Sequence, residues 1–143
     1  MLESIMNKIW KVTIPISFAL CSSLSFAATC NSAIDNNTLS DLTIPAGSTC
    51  TVNNSSIEGD VNIQKDASLI LNSSSIQGSI QANQAKAVRL INSSVSGDVH
   101  AAQAATMIHL EKSVISGDVH CSASTRLQTN QSSIEGQKTG KCR

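Results

Sequence analysis

Aromatic residues are almost missing from this chain. Trp10, Phe18 and Phe26 are the only ones among 143 residues, and all three stand before Ala27. The rest of the chain cannot build a core around rings that bury about 150–250 Å² each. It also has no platform on which sugars or nucleic-acid bases could stack. Charge is equally sparse: 14% of residues are charged, with ten basic against ten acidic. From Ala28 onward the balance is eight basic to nine acidic, which leaves no electrostatic footprint for a phosphate backbone and excludes nucleic acid as a partner. No C-x-x-C pair is present, so the usual spacing of a zinc-thiolate site is absent. No apolar run reaches the roughly 20 residues that a spanning helix needs.

What is present falls into two unequal parts. The stretch MNKIWK, the apolar run VTIPISFALCSSLSF and the small residues AAT follow one another from Met6 to Thr29. That order is a basic n-region, an h-region and a cleavage site, and it predicts a signal peptide over 1–27 with the cut after Ala27. Met6 is an alternative start, and Leu20 speaks against lipoprotein processing at Cys21. The mature domain is then 28–143, periplasmic or secreted, with no membrane span.

The second part repeats itself. Gly59, Gly78, Gly97, Gly117 and Gly136 are separated by 19, 19, 20 and 19 residues. Each closes a similar Ser/Asn segment: NNSSIEG, NSSSIQG, INSSVSG, EKSVISG and NQSSIEG. Apolar residues alternate with polar ones inside each copy, the period of a half-buried strand. Ile57, Ile76, Val95, Ile115 and Ile134 stand two residues before the glycines, and Val61, Ile80, Val99 and Val119 two after. Cys50 with Val52, Leu69 with Leu71, Val88 with Leu90, Ile108 with Leu110, and Leu127 with Thr129 stand nine and seven before. A copy this short cannot bury its apolar face alone, whereas stacked copies can. The predicted fold is all-β: a single-stranded right-handed parallel β-helix, or β-solenoid, of about five coils of 19–20 residues.

The alternation and the G-D-V step at Gly59–Val61, Gly97–Val99 and Gly117–Val119 resemble short secreted parallel β-helix proteins, and the coils are similar to those of bactofilins. The resemblance covers Ser48 to Gly136 and implies architecture rather than activity, because one solenoid serves many functions. Export and four mature cysteines depart from bactofilins.

Those cysteines are Cys30, Cys50, Cys121 and Cys142, an even number in an exported chain, which predicts two disulfides. Cys30 and Cys50 are 20 residues apart, and Cys121 and Cys142 are 21 apart, each about one coil. Stacked coils bring such residues to about 4.8 Å, inside the Cα window of about 4.4–6.8 Å for a bridge. The expected pairs therefore staple the two ends, where Lys138 and Gly140 also mark a cap. Blocked ends predict a monomer or a lateral homo-oligomer.

Two polar columns are candidates for chemistry. Ser55, Ser74, Ser93, Ser113 and Ser132 align four residues before the glycines. Catalysis there would need an adjacent base and an oxyanion donor; the structural alternative is hydrogen bonding at a coil corner. Asp98, His100, Asp118 and His120 flank the inward Val99 and Val119, so all four point outward on neighbouring coils. Spacing puts the two imidazoles about 5 Å apart and the carboxylates about 7 Å further along the strands. That square suits Zn²⁺ or Cu²⁺, unless Asp merely fits the turn and His is a tolerated surface residue. His109 lies on a different strand and is left out. No cofactor is required by any of this. The expected function is an exported, non-catalytic structural or interaction module of the bacterial periplasm or cell envelope, with an envelope or surface protein as partner. The alternative is a small metal-binding protein using the Asp/His square.

Overall fold

The computed structural model describes residues 27–103 and 106–143. The signal peptide expected over 1–27 lies, but for Ala27, outside the described residues. Strands and turns account for the rest, and among the described residues no helix is long and apolar enough to cross a membrane.

Three parallel sheets wind around one apolar bore. A broad sheet is built from Ala33–Asp35, Thr49–Asn53, Ser68–Asn72, Ala87–Ile91, Met107–Glu111 and Arg126–Asn130. A narrow sheet follows at Thr38–Leu39, Ser56–Ile57, Ser75–Ile76, Ser94–Val95, Val114–Ile115 and Ser133–Ile134. The third comprises Ala28–Thr29, Leu42–Ile44, Val61–Ile63, Ile80–Gln81, Val99–Ala101, Val119–Cys121 and Lys138–Thr139. Because it carries His100 and His120 we call it the histidine face. Every pairing joins a residue to its equivalent one coil on, as in Val61 to Ile80 to Val99 to Val119.

Among the described residues six coils are present, one more than the glycines mark. The additional coil is the first, where Ser40 occupies the glycine place and its carbonyl accepts the Gly59 amide. The coil of 20 residues keeps register because its extra residue lies between His100 and Met107. Gln81 is still paired with His100 at the shorter spacing, and Ala87 with Met107 at the longer one.

The bore is filled by ladders of Ile, Leu and Val, with Ile57, Ile76 and Ile115 at 0% exposure and Val95 at 1%. No ring is needed, because identical short side chains on successive coils stack flat against one another. The ladders run out at the last coil: Leu127 and Ile134 are only half-buried and Thr129 is exposed, since among the described residues no further coil stacks above them.

The repeated glycines serve close approach. None of the five has a positive φ. A Cβ on Gly97 would strike the Gly78 carbonyl, and one on Gly117 would strike the Gly97 carbonyl and the Asp98 carboxylate. Apart from Asp66, with φ of 58° in the turn before Ser68–Asn72, the left-handed non-glycine backbone sits at the corner between the broad and narrow sheets. There Asn36, Asn54, Ser73, Asn92, Lys112 and Gln131 have φ between 47° and 52°. Asn visits this region at little cost, which accounts for the Asn-rich corners.

Both expected disulfides are formed: Cys30 to Cys50 with a Cα separation of 5.5 Å, and Cys121 to Cys142 with 5.1 Å. The tail then folds over the last broad strand, with the Arg143 amide donating to the Thr125 carbonyl at 3.0 Å and its carbonyl accepting from Leu127 at 2.6 Å. Lys138 stacks on Val119, and Gly140, with φ of 86°, lies against the Cys121 carbonyl where a side chain would not fit.

Two outcomes follow from this architecture. Val95→Asp puts an unpaired carboxylate into a dry bore and is expected to abolish folding, seen as loss of the sheet signal in circular dichroism; a folded variant would mean the bore is wet. Replacing either cystine by a Ser pair should lower stability by about 3 kcal/mol, the amount typical of a loop this size, while the sheet content before melting stays unchanged.

Candidate metal-binding face and the polar ladders

The Ser column is spent on structure. Each hydroxyl donates to the carbonyl two residues before it, at 2.7 Å for Ser55 and Ser93 and 2.8 Å for Ser74 and Ser113. Each also accepts an amide from the coil before: Ser55 to Ser74 at 3.1 Å, Ser74 to Ser93 at 3.2 Å, Ser93 to Ser113 at 3.1 Å, and Ser113 to Ser132 at 3.0 Å. Ser55, Ser74, Ser93 and Ser113 are buried. A hydroxyl whose donor and acceptor capacities are both in use is a brace for the corner, not an available nucleophile. Beside it, Asp35, Asn53 and Asn72 form a shorter ladder, joined at 2.6 and 2.8 Å.

The Asp column is a second brace, and its role was not apparent from the sequence. Oδ1 of Asp41 accepts the Asp60 amide at 2.8 Å, and Asp60 accepts that of Ser79 at 2.7 Å. Ser79 Oγ accepts the Asp98 amide at 3.1 Å. Asp98 then accepts that of Asp118, and Asp118 that of Gln137, both at 2.7 Å. The signal that could have revealed this was Ser79: a column that tolerates Asp or Ser asks for a short acceptor beside the glycine, not for charge.

The histidines form a distinct feature. His100 and His120 are paired across neighbouring strands, between Gln81 on one side and Thr139 on the other. Their rings are stacked, with centroids 4.7 Å apart and planes 3° from parallel. Both are half-buried. His120 Nδ1 lies 2.6 Å from the Thr139 hydroxyl. Ligand atoms of Asp98, His100 and His120 all lie within 4.8 Å of one another, so Asp98 reaches diagonally toward the rings and sits nearer than strand spacing alone suggested. Asp118 is not part of this group. His109 is on the broad face, 3.3 Å from Gln128 and 4.0 Å from Glu111, away from the other two.

The Ser brace can be checked directly. Ser93→Ala leaves the Ser74 amide without its acceptor in a buried corner, and chemical denaturation should show a loss of about 1–3 kcal/mol. A neutral result would place the load on the backbone ladder alone.

No family model, curated protein or solved structure matches the chain. The parallel solenoid is shown by the strand order, and no comparison supports the finer likeness to bactofilin coils.

Proposed function

We propose that the chain is an exported, non-catalytic β-solenoid that serves as a structural or interaction module of the bacterial periplasm or cell envelope. Supporting export are the leader pattern at 1–27 and the two cystines, which persist in oxidising compartments. The observation that carries the non-catalytic reading is that the recurring Ser and Asp side chains are engaged in coil-to-coil hydrogen bonds. These groups build a rod rather than a reactive centre.

The rod offers its broad face to a partner. Its five-residue strands make the widest flat surface of the solenoid, and half-buried Ile70 and Ile91 stand there with exposed Met107 and Arg89. Scattered apolar residues around an arginine fit a protein surface with an apolar patch and an acidic group. Own-copy stacking end to end is disfavoured by the stapled coils and by the tail over the last broad strand, leaving a monomer or a side-by-side assembly.

Expression with residues 1–27 in a bacterial host tests this reading. The expected product is a periplasmic or secreted chain beginning at Ala28, and a photocrosslinker at Ile70 should capture a defined envelope protein that one at Gln81 on the histidine face does not. A full-length chain retained in the cytoplasm, or equal capture from both faces, would overturn it.

A further inference from the structure

We propose that Asp98, His100 and His120 form a binding site for one divalent transition-metal ion, with Thr139 as the residue that positions His120. The inference goes beyond the interaction module and does not depend on it.

Two imidazole nitrogens and one carboxylate oxygen, drawn from adjacent coils, already lie within 4.8 Å of one another. A tetrahedral zinc shell with bonds near 2.0–2.1 Å puts its donors about 3.4 Å apart. The stacked rings must therefore tilt toward each other, which their half-buried position allows. Asp98 has an oxygen to offer. Its Oδ1 accepts the Asp118 amide at 2.7 Å, while among the described residues no hydrogen bond reaches Oδ2.

Thr139 gives the site its direction. Its hydroxyl is 2.6 Å from His120 Nδ1, a contact that leaves the Nε2 lone pair for the ion in the tautomer with the proton on Nδ1. With the Nδ1 proton donated to the hydroxyl, the tautomer has its lone pair on Nε2, the arrangement that outer partners impose on metal-bound histidines. Thr139 belongs to the last coil, which the Cys121–Cys142 bridge holds in place. The site thus spans three coils near the stapled end.

Three protein donors leave the remaining positions to water. Nitrogen and oxygen donors suit Cu²⁺, Zn²⁺ and Ni²⁺, and the general affinity order places Cu²⁺ first. Among the described residues no other coil offers the set, because the residues in register with the histidines elsewhere on this face are Thr29, Thr43, Asn62, Gln81 and Thr139.

Calorimetric titration of the oxidised, tag-free chain with ZnCl₂ and CuCl₂ decides the matter, with electron paramagnetic resonance counting nitrogens around Cu²⁺. The expected result is one ion per chain, two coordinated nitrogens, and tighter binding of Cu²⁺ than Zn²⁺. His100→Gln and His120→Gln should each remove the binding, whereas His109→Gln should leave it intact. Asp98→Asn keeps an acceptor for the Asp118 amide, so it should weaken binding without lowering the melting temperature. Thr139→Val should weaken it about tenfold, and Thr139→Ser should restore it. Binding no tighter than about millimolar, or a double His variant that binds like the parent, overturns the site. Unchanged affinity in Thr139→Val overturns the positioning role.

Discussion

In-register stacking of one coil on the next is the constraint from which the rest of this structure follows. A parallel ladder repeats about every 4.8 Å, and each residue then meets its own equivalent above and below. Whatever a position carries must tolerate contact with a copy of itself. Aliphatic side chains do so by lying flat, which is how Ile57, Ile76, Val95 and Ile115 fill the bore without a ring. Hydroxyls and short carboxylates do so by bonding the neighbouring amide. Glycine does so where carbonyl and Cα pass too close for any side chain, as at Gly97 and Gly117.

The same constraint turns polar residues into structure. A buried backbone amide at a corner must be satisfied, and a bent strand cannot always present a carbonyl at the right place. The Ser and Asp columns supply the missing acceptors, one at the broad-to-narrow corner and one after the glycine. Sequence repetition at these positions therefore reflects a recurring local need, and a repeated polar word is weak ground for inferring chemistry. The histidine pair differs because its column is otherwise Thr, Asn and Gln, and nothing in the backbone asks for an imidazole there.

Most of the architecture was legible because the stacking rule writes itself into periodic residues. The glycine spacing, the alternation and the one-coil separation of the cysteines all pointed to a solenoid with stapled ends, and the cystines and sheets are as expected. The first coil was missed since Ser40 replaces its glycine, and a marker-based count cannot see a coil without the marker. The left-handed corner was not read from the sequence: Asn36, Asn54 and Asn92 favour that backbone, whereas Ser73, Lys112 and Gln131 do not and are held there by the stack. At the candidate site, the approach of the two histidines could be read from register. The part of Thr139 could not, because its proximity to His120 depends on how the short final coil is seated.

The end staples have a mechanical consequence. A solenoid drawn out by its termini would normally peel from its first and last coils, the ones with a single neighbour. Here a load entering near Cys30 passes through sulfur to Cys50, and one entering near Cys142 passes to Cys121. The terminal coils are bypassed, each concealing roughly 65 Å of slack chain at about 3.3 Å per residue. Tension falls on the central coils, which have neighbours on both sides and must be sheared from the stack rather than frayed.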